Sequence, residues 1–289
     1  MKKTKDKIIE KIIFICGILS IIFVALIFGF LFKEGIEFFR DFGLKNFLGS
    51  AVWRPTSVPP QFGILSLIAG SVLVTVGACI IAVPLGIAAA LYISELAPKA
   101  IRDILKSLVE LMAAVPSVVI GFVGMVIVAP YVRIILNLPT GLTAFTGSLV
   151  LAFMAMPTII TISEDAIRSV PKQYKDGALA LGATNWQAIR RVVLMAAMPG
   201  IIAAIMLGIG RVIGETMAVM MVTGNAAHIP HSIFEPVRTM TATIAAEMGE
   251  TVRESLHYRS LFAIGLILFL ITFIVNFVAD LFSGRSKNQ

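Results

Sequence analysis

Charged residues punctuate this 289-residue chain at wide intervals, and the stretches between them are long and apolar. Lys11 and Lys33 bracket one such stretch at 12–32, and Arg54 and Glu95 bracket a longer one best placed at 63–94. A third starts near Ser107 and ends at Arg133, and a fourth at 142–163 is closed by Glu164. The fifth opens after Arg191 and runs past Arg211 and Glu215 to about Val222; the sixth lies between Arg259 and Asp280. About 20 predominantly apolar residues cross a bilayer as a helix. The pattern therefore predicts an all-α integral membrane protein with six transmembrane helices. The second stretch exceeds one ideal span, as a tilted or Pro84-kinked helix would, or a helix with a surface piece. Splitting it would make seven spans and invert the orientation of every later segment.

The charges between the spans choose six. With the N-terminus inside, the cytoplasmic segments hold fifteen basic residues and the external ones eight, the asymmetry that orients membrane proteins. Both termini are then cytoplasmic, whereas a seventh span would put the basic 164–191 segment outside. The chain divides into a tail, first helix and external loop at 1–62, a five-helix core at 63–283 and a tail at 284–289. The first apolar stretch is longer than a signal-peptide core and no A-x-A-like site comes after it, so an uncleaved anchor is expected.

Composition sharpens the same picture. Hydrophobic residues make up 58% of the chain and charged residues 14%, against about 25% charged in a soluble domain. That is too little charge to coat a water-soluble body of this size. The net charge of +7 suggests nucleic acid only if the chain is soluble; here the excess sits on the cytoplasmic side and records orientation. Cys16 and Cys79 fall inside spans and read as small buried apolar residues.

The cytoplasmic segment at 164–191 is too long for a minimal connection. Ser169 and Pro171 open a short amphipathic helix, and Gly182 sits where a helix end favours a left-handed residue. Thr184 and Gln187 then form a capping box, from which a second helix runs through Arg190 and Arg191 into the fifth span. Asp176-Gly177-Ala178, three residues, Gly182, nine residues and Val192-Val193-Leu194 resemble the loop motif of bacterial ABC-importer permeases. Asp replaces Glu, Gly177 the first Ala, Val192 Ile, and Met195 the closing Pro. In that family the loop docks into a groove of a separate ATPase, which would make Asp176, Gly177, Ala178 and Gly182 coupling residues. No G-x-x-x-x-G-K-[ST] loop occurs in the chain, so an ATPase that powers it would be supplied by a partner, with ATP and Mg bound there and no cofactor bound here.

Arg211 and Glu215 lie inside the fifth span, four residues apart and therefore on one face if the helix continues. A charge at that depth costs about 2.5–3.5 kcal/mol on insertion scales. Gly200, Ala204 and Gly208 share the face as a small-residue packing stripe, so the pair is expected to point into protein. One role is a self-neutralising ion pair. The other is a substrate path, in which the Arg211 fork grips a tetrahedral oxyanion. Glu215 would then compete for the fork and accept a hydrogen bond from a protonated oxyanion, and Thr216 would add a hydroxyl.

The run from Arg211 to Val219, with Thr223-Gly-Asn, resembles the permease subunits of phosphate ABC transporters. So do the run from Pro236 to Glu250, Ser94-Glu-Leu-Ala-Pro and Ala114-Val-Pro-Ser-Val-Val-Ile-Gly. The resemblance covers about Gly63 to Asp280 and implies the type I ABC importer permease fold. It also implies phosphate import across a bacterial cytoplasmic membrane, by a multi-pass subunit working with three partners. Those are a second permease subunit, a homodimeric ATP-binding subunit and an external phosphate-binding protein, for which segment 223–259 would be the landing surface. A sulfate or molybdate permease is the nearest alternative, and a secondary transporter with Glu215 as proton carrier the next. An intramembrane enzyme would need a nucleophile–base pair or a metal cluster at one depth, and the spans hold no His and no acid pair. The pair His228 and His231 is separated by a proline and lacks an adjoining acidic or Cys ligand, so a metal site is not expected.

Overall fold

The structure is a computed structural model that describes the backbone of residues 2–285 and the side chains of residues 9–277. The tail expected at 284–289 lies outside the described residues beyond Arg285. Six segments are long and apolar enough to cross a membrane: Ile9–Phe42, Leu65–Leu96, Ser117–Ile135, Ala144–Arg168, Asn185–Gly214 and Leu256–Phe277. The number agrees with the charge pattern, but three boundaries move.

Helix α1 spans Lys2–Phe42 and is followed by α2 (Leu44–Gly49) and a two-residue-per-strand hairpin, β1 (Trp53–Arg54) and β2 (Gln61–Phe62), paired antiparallel. Helix α3 (Leu65–Leu91) passes through Pro84 without stopping and ends in a π turn at Tyr92–Leu96. The long second stretch is therefore one span. The third window was expected to open near Ser107, and there the chain instead forms a separate amphipathic helix, α4 (Lys99–Ala114). Val115 and Pro116 are both extended, because the residue before a proline disfavours the helical region. The span proper is α5 (Ser117–Val123), continued through a π turn into α6 (Ala129–Ile135).

Helix α7 (Ala144–Arg168) is the centre of the bundle, with the largest buried share of any span. Its N-terminus is well satisfied: Thr143 caps Thr146 N–H, while the Ala144 and Phe145 amides donate to the carbonyls of Glu235 and Ile233 at 2.9 and 2.8 Å. The docking segment forms α8 (Lys172–Ala180) and α9 (Asn185–Ala188), which continues through a π turn into α10 (Leu194–Gly214). Two short helices, α11 (Met217–Val222) and α12 (Met240–Glu247), precede α13 (Leu256–Arg285).

Close helix approach explains the small residues. Ile159 of α7 lodges between Gly86 of α3 and Gly208 of α10; a Cβ on those glycines would lie 2.8 Å from Ile159 Cγ2 and 2.6 Å from its Cγ1. Ser148 Oγ donates to Ala144 and to Val74 of α3 across the same seam. On the cytoplasmic side Glu164, 1% exposed, holds Lys106 of α4 at 2.8 Å and Arg168 at 3.0 Å. Outside, α1 packs along α13, and Arg259 faces Glu37 at 3.1 Å and Asp41 at 3.5 Å. The stretch expected as a plain external loop is ordered by aromatics: Phe38, Phe47, Trp53 and Phe62 are buried with Leu67, Met240 and Leu261.

The glycine contacts are measurable. Gly208→Ala forces Ile159, whose branched side chain has little freedom, and should cost about 1–3 kcal/mol. The thermal midpoint of the detergent-solubilised protein should fall, and Gly208→Ala with Ile159→Val should recover part of the loss. An unchanged midpoint in Gly208→Ala would show that the seam is slack.

Candidate functional site

Helix α10 does not run through to Val222. It ends at Gly214; Glu215 is extended (φ −69°, ψ 134°) and Thr216 is non-helical before α11 restarts at Met217. Arg211 and Glu215 are therefore not stacked on one helix face, and no ion pair joins them among the described residues. Arg211 Nη1 donates to Thr158 Oγ1 of α7 at 3.2 Å. Glu215 Oε1 instead accepts from the Ala218 amide at 3.2 Å, capping the first turn of α11. Thr216 Oγ donates to the Gly214 carbonyl at 3.2 Å. The expected pair fails because the i, i+4 relation holds only while the helix does.

The break is built from the flanking chemistry. Thr241 of α12 donates its hydroxyl to the Glu215 carbonyl at 2.9 Å, so the backbone group released by the break is satisfied within protein. The packing stripe forms as expected: Gly200 faces Ala166, Gly208 faces Ile159, and Ala204 is fully buried. Arg211 lies on the adjacent face with exposed Ala203 and Leu207 and is itself exposed, which overturns the expectation of a pair buried in the packed interior. Glu215 and Thr216 are half-buried.

Depth gives that exposure its meaning. Thr158, to which Arg211 is bonded, lies about 21 Å from the start of α7 and about 15 Å from its end at 1.5 Å per residue. An arginine cannot deprotonate and is costly against hydrocarbon there. The face carrying Arg211 is therefore one that protein or water covers, not lipid.

A second break stands beside the first. The extended Val115-Pro116 pair precedes α5, and α5 packs along α11: a Cβ on Gly121 would come 2.7 Å from Ala218 Cα, and Gly124 sits against Val150 and Val222. The two motifs separated by about a hundred residues, around Pro116 and around Glu215, thus meet inside the membrane-spanning bundle.

On the cytoplasmic side the loop has the predicted form. Gly182 is left-handed (φ +87°), and the Gly182 and Ala183 amides close the end of α8 on the Leu179 and Ala178 carbonyls. Both bonds of the Thr184–Gln187 capping box are present. Asp176, Gly177 and Gly182 are exposed and Ala178 half-buried. Around them Tyr174 and Trp186 are exposed, and Leu181 is 91% exposed at the tip of the corner.

Outside, Glu247 is not a solvated surface charge. Its carboxylate accepts from Trp53 Nε1 at 3.1 Å, Arg238 Nη1 at 2.9 Å and His257 Nε2 at 2.8 Å, beside a cleft of about 560 Å³. Sequence reasoning missed this hub and Thr158. Trp53 and Glu247 of the hub are 194 positions apart; Thr158 carried one signal, a hydroxyl next to Pro157 in an otherwise apolar run.

Comparison with known proteins bears on the family and the fold. Residues 82–288 match the family described as "Binding-protein-dependent transport system inner membrane component". The chain is 38% identical over 274 residues to the "Probable ABC transporter permease protein YqgH" of Bacillus subtilis, covering 94% of this chain and 89% of that protein. It is 38% identical over 268 residues to the "Phosphate transport system permease protein PstC" of Mesorhizobium japonicum, covering 86% and 81%. Among solved structures, it resembles a chain of a bacterial alginate ABC transporter in complex with an alginate pentasaccharide-bound periplasmic protein (TM-score 0.61, 17% identity, 93% of this chain and 94% of that one). It also resembles one of the inward-facing MetNI methionine ABC transporter (TM-score 0.60, 17% identity, 77% and 97%). At these identities the two structures speak for the fold, an ABC importer permease bundle.

The external loop yields a pH test. The His231 amide donates to Glu235 Oε2 at 3.1 Å and His228 Nε2 lies 3.3 Å from it. The backbone bond, chiefly, and the histidines hold the Glu235 carboxyl below the ordinary carboxylate range. A depressed folded value means the turn is supported above the ordinary range and loses that support as pH falls through the depressed one. Amide exchange at His231, corrected for the intrinsic pH dependence, should accelerate on acidification into that range, and Glu235→Gln should abolish the step. A step that survives in Glu235→Gln would assign it elsewhere.

Proposed function

The chain belongs to the family of binding-protein-dependent transport system inner membrane components, and within it we propose that the chain is the permease subunit of an ATP-driven importer of inorganic phosphate. The family makes it a multi-pass inner-membrane permease and not itself a catalyst. The observation that carries the phosphate reading is Arg211, exposed inside a broken span and bonded to Thr158. The PstC relatives, at 33–38% identity, favour the same substrate.

Arg211 presents a planar fork of N–H donors that matches two oxygens of a tetrahedral anion. Thr158, already within bonding distance of that fork, supplies a hydroxyl to a third oxygen when the anion displaces it. Glu215 acts from the far side of the break. With Oε1 engaged by Ala218, its second oxygen accepts from the proton that phosphate keeps at neutral pH and sulfate lacks. Thr216 lies beside it.

The rest of the assembly is set by the faces left open. A second permease subunit covers the Arg211 face and completes the path. A homodimeric ATP-binding subunit takes the corner formed by Asp176, Gly177, Ala178 and Gly182, where Leu181 and Trp186 offer apolar surface; ATP and Mg belong to that subunit. An external phosphate-binding protein lands on segment 223–259. The alginate transporter structure, with its periplasmic protein bound, is the precedent for such docking.

Uptake by the full complex in proteoliposomes tests the reading. Arg211→Gln should lower phosphate uptake by about 30-fold, the equivalent of ~2 kcal/mol for a charge-assisted bond. Thr158→Val should show a smaller loss, and Glu215→Gln should shift the phosphate-to-sulfate ratio towards sulfate. Normal phosphate uptake by Arg211→Gln would sink the proposed path. An unaltered complex that carries sulfate or molybdate and not phosphate would replace the substrate.

A further inference from the structure

The Ser94-Glu-Leu-Ala-Pro motif has no part in the path described so far, and the structure makes it a joint. Its first residues lie in the π turn that closes α3, and Pro98 starts α4. Arg102, one turn into α4, folds back so that Nη2 donates to the carbonyls of Ser94 and Ala97 at 3.1 and 3.3 Å. The corner between α3 and α4 is thereby pinned. Glu95 points away from it and takes Lys175 Nζ of α8 at 2.6 Å, with both side chains largely shielded from water.

That bond stands out because of how little else holds α8. None of its residues is buried. The chain joins α8 directly to α7 on one side and, through α9, to α10 on the other; nothing covalent joins it to α3 or α4. Among the described residues, Lys175–Glu95 is the only ion pair or side-chain hydrogen bond between α8 and a transmembrane helix. Beyond the joint, α4 is a rod of about 24 Å at 1.5 Å per residue, and it ends at the Val115-Pro116 break. Lys106 on the same rod is fixed to the buried Glu164 of α7.

We propose that Glu95 and Lys175 are positioning residues forming the tether through which α8 moves α4, and with it the break at Pro116. This rests on the ATPase-docking role proposed above for α8. A displacement of α8 reaches α7 and α10 through the backbone, but it reaches the joint between α3 and α4 directly only across this ion pair. Loss of the pair leaves the docking corner attached and moving, with α4 held only by its contacts to α7, such as Lys106–Glu164, and the break at Pro116 less tightly coupled to it.

Hydrogen exchange in the assembled complex with its ATP-binding subunit tests this without any transported anion. In the unaltered complex, ATP binding should change protection in α8, in α4 and in α10. In Glu95→Gln and in Lys175→Gln the α4 response should fall about fivefold or more, the lower end of ordinary coupling strengths, while the α10 response remains. The double variant Glu95→Lys with Lys175→Glu should restore the α4 response, which a merely folded-state role for either residue would not produce. An α4 response that persists in both single variants, or is absent from the unaltered complex, overturns the tether. Failure of the phosphate reading shows separately, as an unaltered complex whose ATP hydrolysis phosphate does not stimulate.

Discussion

A helix that stops inside a bilayer releases backbone groups that no water is there to meet; this chain stops so after Gly214 and breaks again at Pro116, where its third span begins. Both stops are made within protein. At Glu215 the released carbonyl is taken by Thr241, and the next helix is capped by the Glu215 carboxylate itself. At Pro116 the missing N–H is the one a helix start can spare, and the carbonyl accepts from Val119 and Ile120. The two restarted helices, α5 and α11, then pack through glycine on one side, so each break is braced by the other's helix.

The exposed arginine is a consequence of the first break. Were α10 to continue, Glu215 would stack over Arg211 and neutralise it. Because the helix ends at Gly214, the carboxylate is spent on Ala218, and among the described residues the guanidinium keeps one hydrogen-bond partner, the Thr158 hydroxyl. A guanidinium with spare donors in a low-dielectric surround is a far stronger anion ligand than the same group in water. The backbone irregularity and the availability of the Arg211 fork are thus one feature.

What could be read from the sequence was local or periodic. The span count came from charge spacing, and the docking corner came from Gly182 and from Thr184 with Gln187, whose capping geometry needs only residues three apart. Illegible were the contacts of high sequence separation, such as Trp53 with Glu247 or Lys175 with Glu95, which no window of one helix contains. The Arg211–Glu215 pairing was a different failure. The periodic argument was sound for Gly200, Ala204 and Gly208, and it broke where the helix did, at residues whose own side chains favour the break. Val115-Pro116 was locally ambiguous: the residue before a proline disfavours the helical region, yet Val83-Pro84 lies inside α3 without breaking it.

The π turn at Ile189–Val193 connects these levels. It adds one residue to a turn and so rotates the helix downstream by about 100° relative to the helix upstream. Upstream of it, Trp186 and Gln187 face outward at the docking corner; within it, Ile189 and Val193 turn inward while Arg190 and Arg191 stay exposed. The helix nevertheless continues without interruption from Asn185 to Gly214. The corner that presents Trp186 and the turn that presents Arg211 are therefore the two ends of one rod, about 38 Å apart at 1.5 Å per residue. A tilt of that rod at its cytoplasmic end must move the guanidinium relative to Thr158, since Thr158 belongs to a different helix. The position of the cytoplasmic corner and the reach of the Arg211 guanidinium are in this way set by the same rigid element.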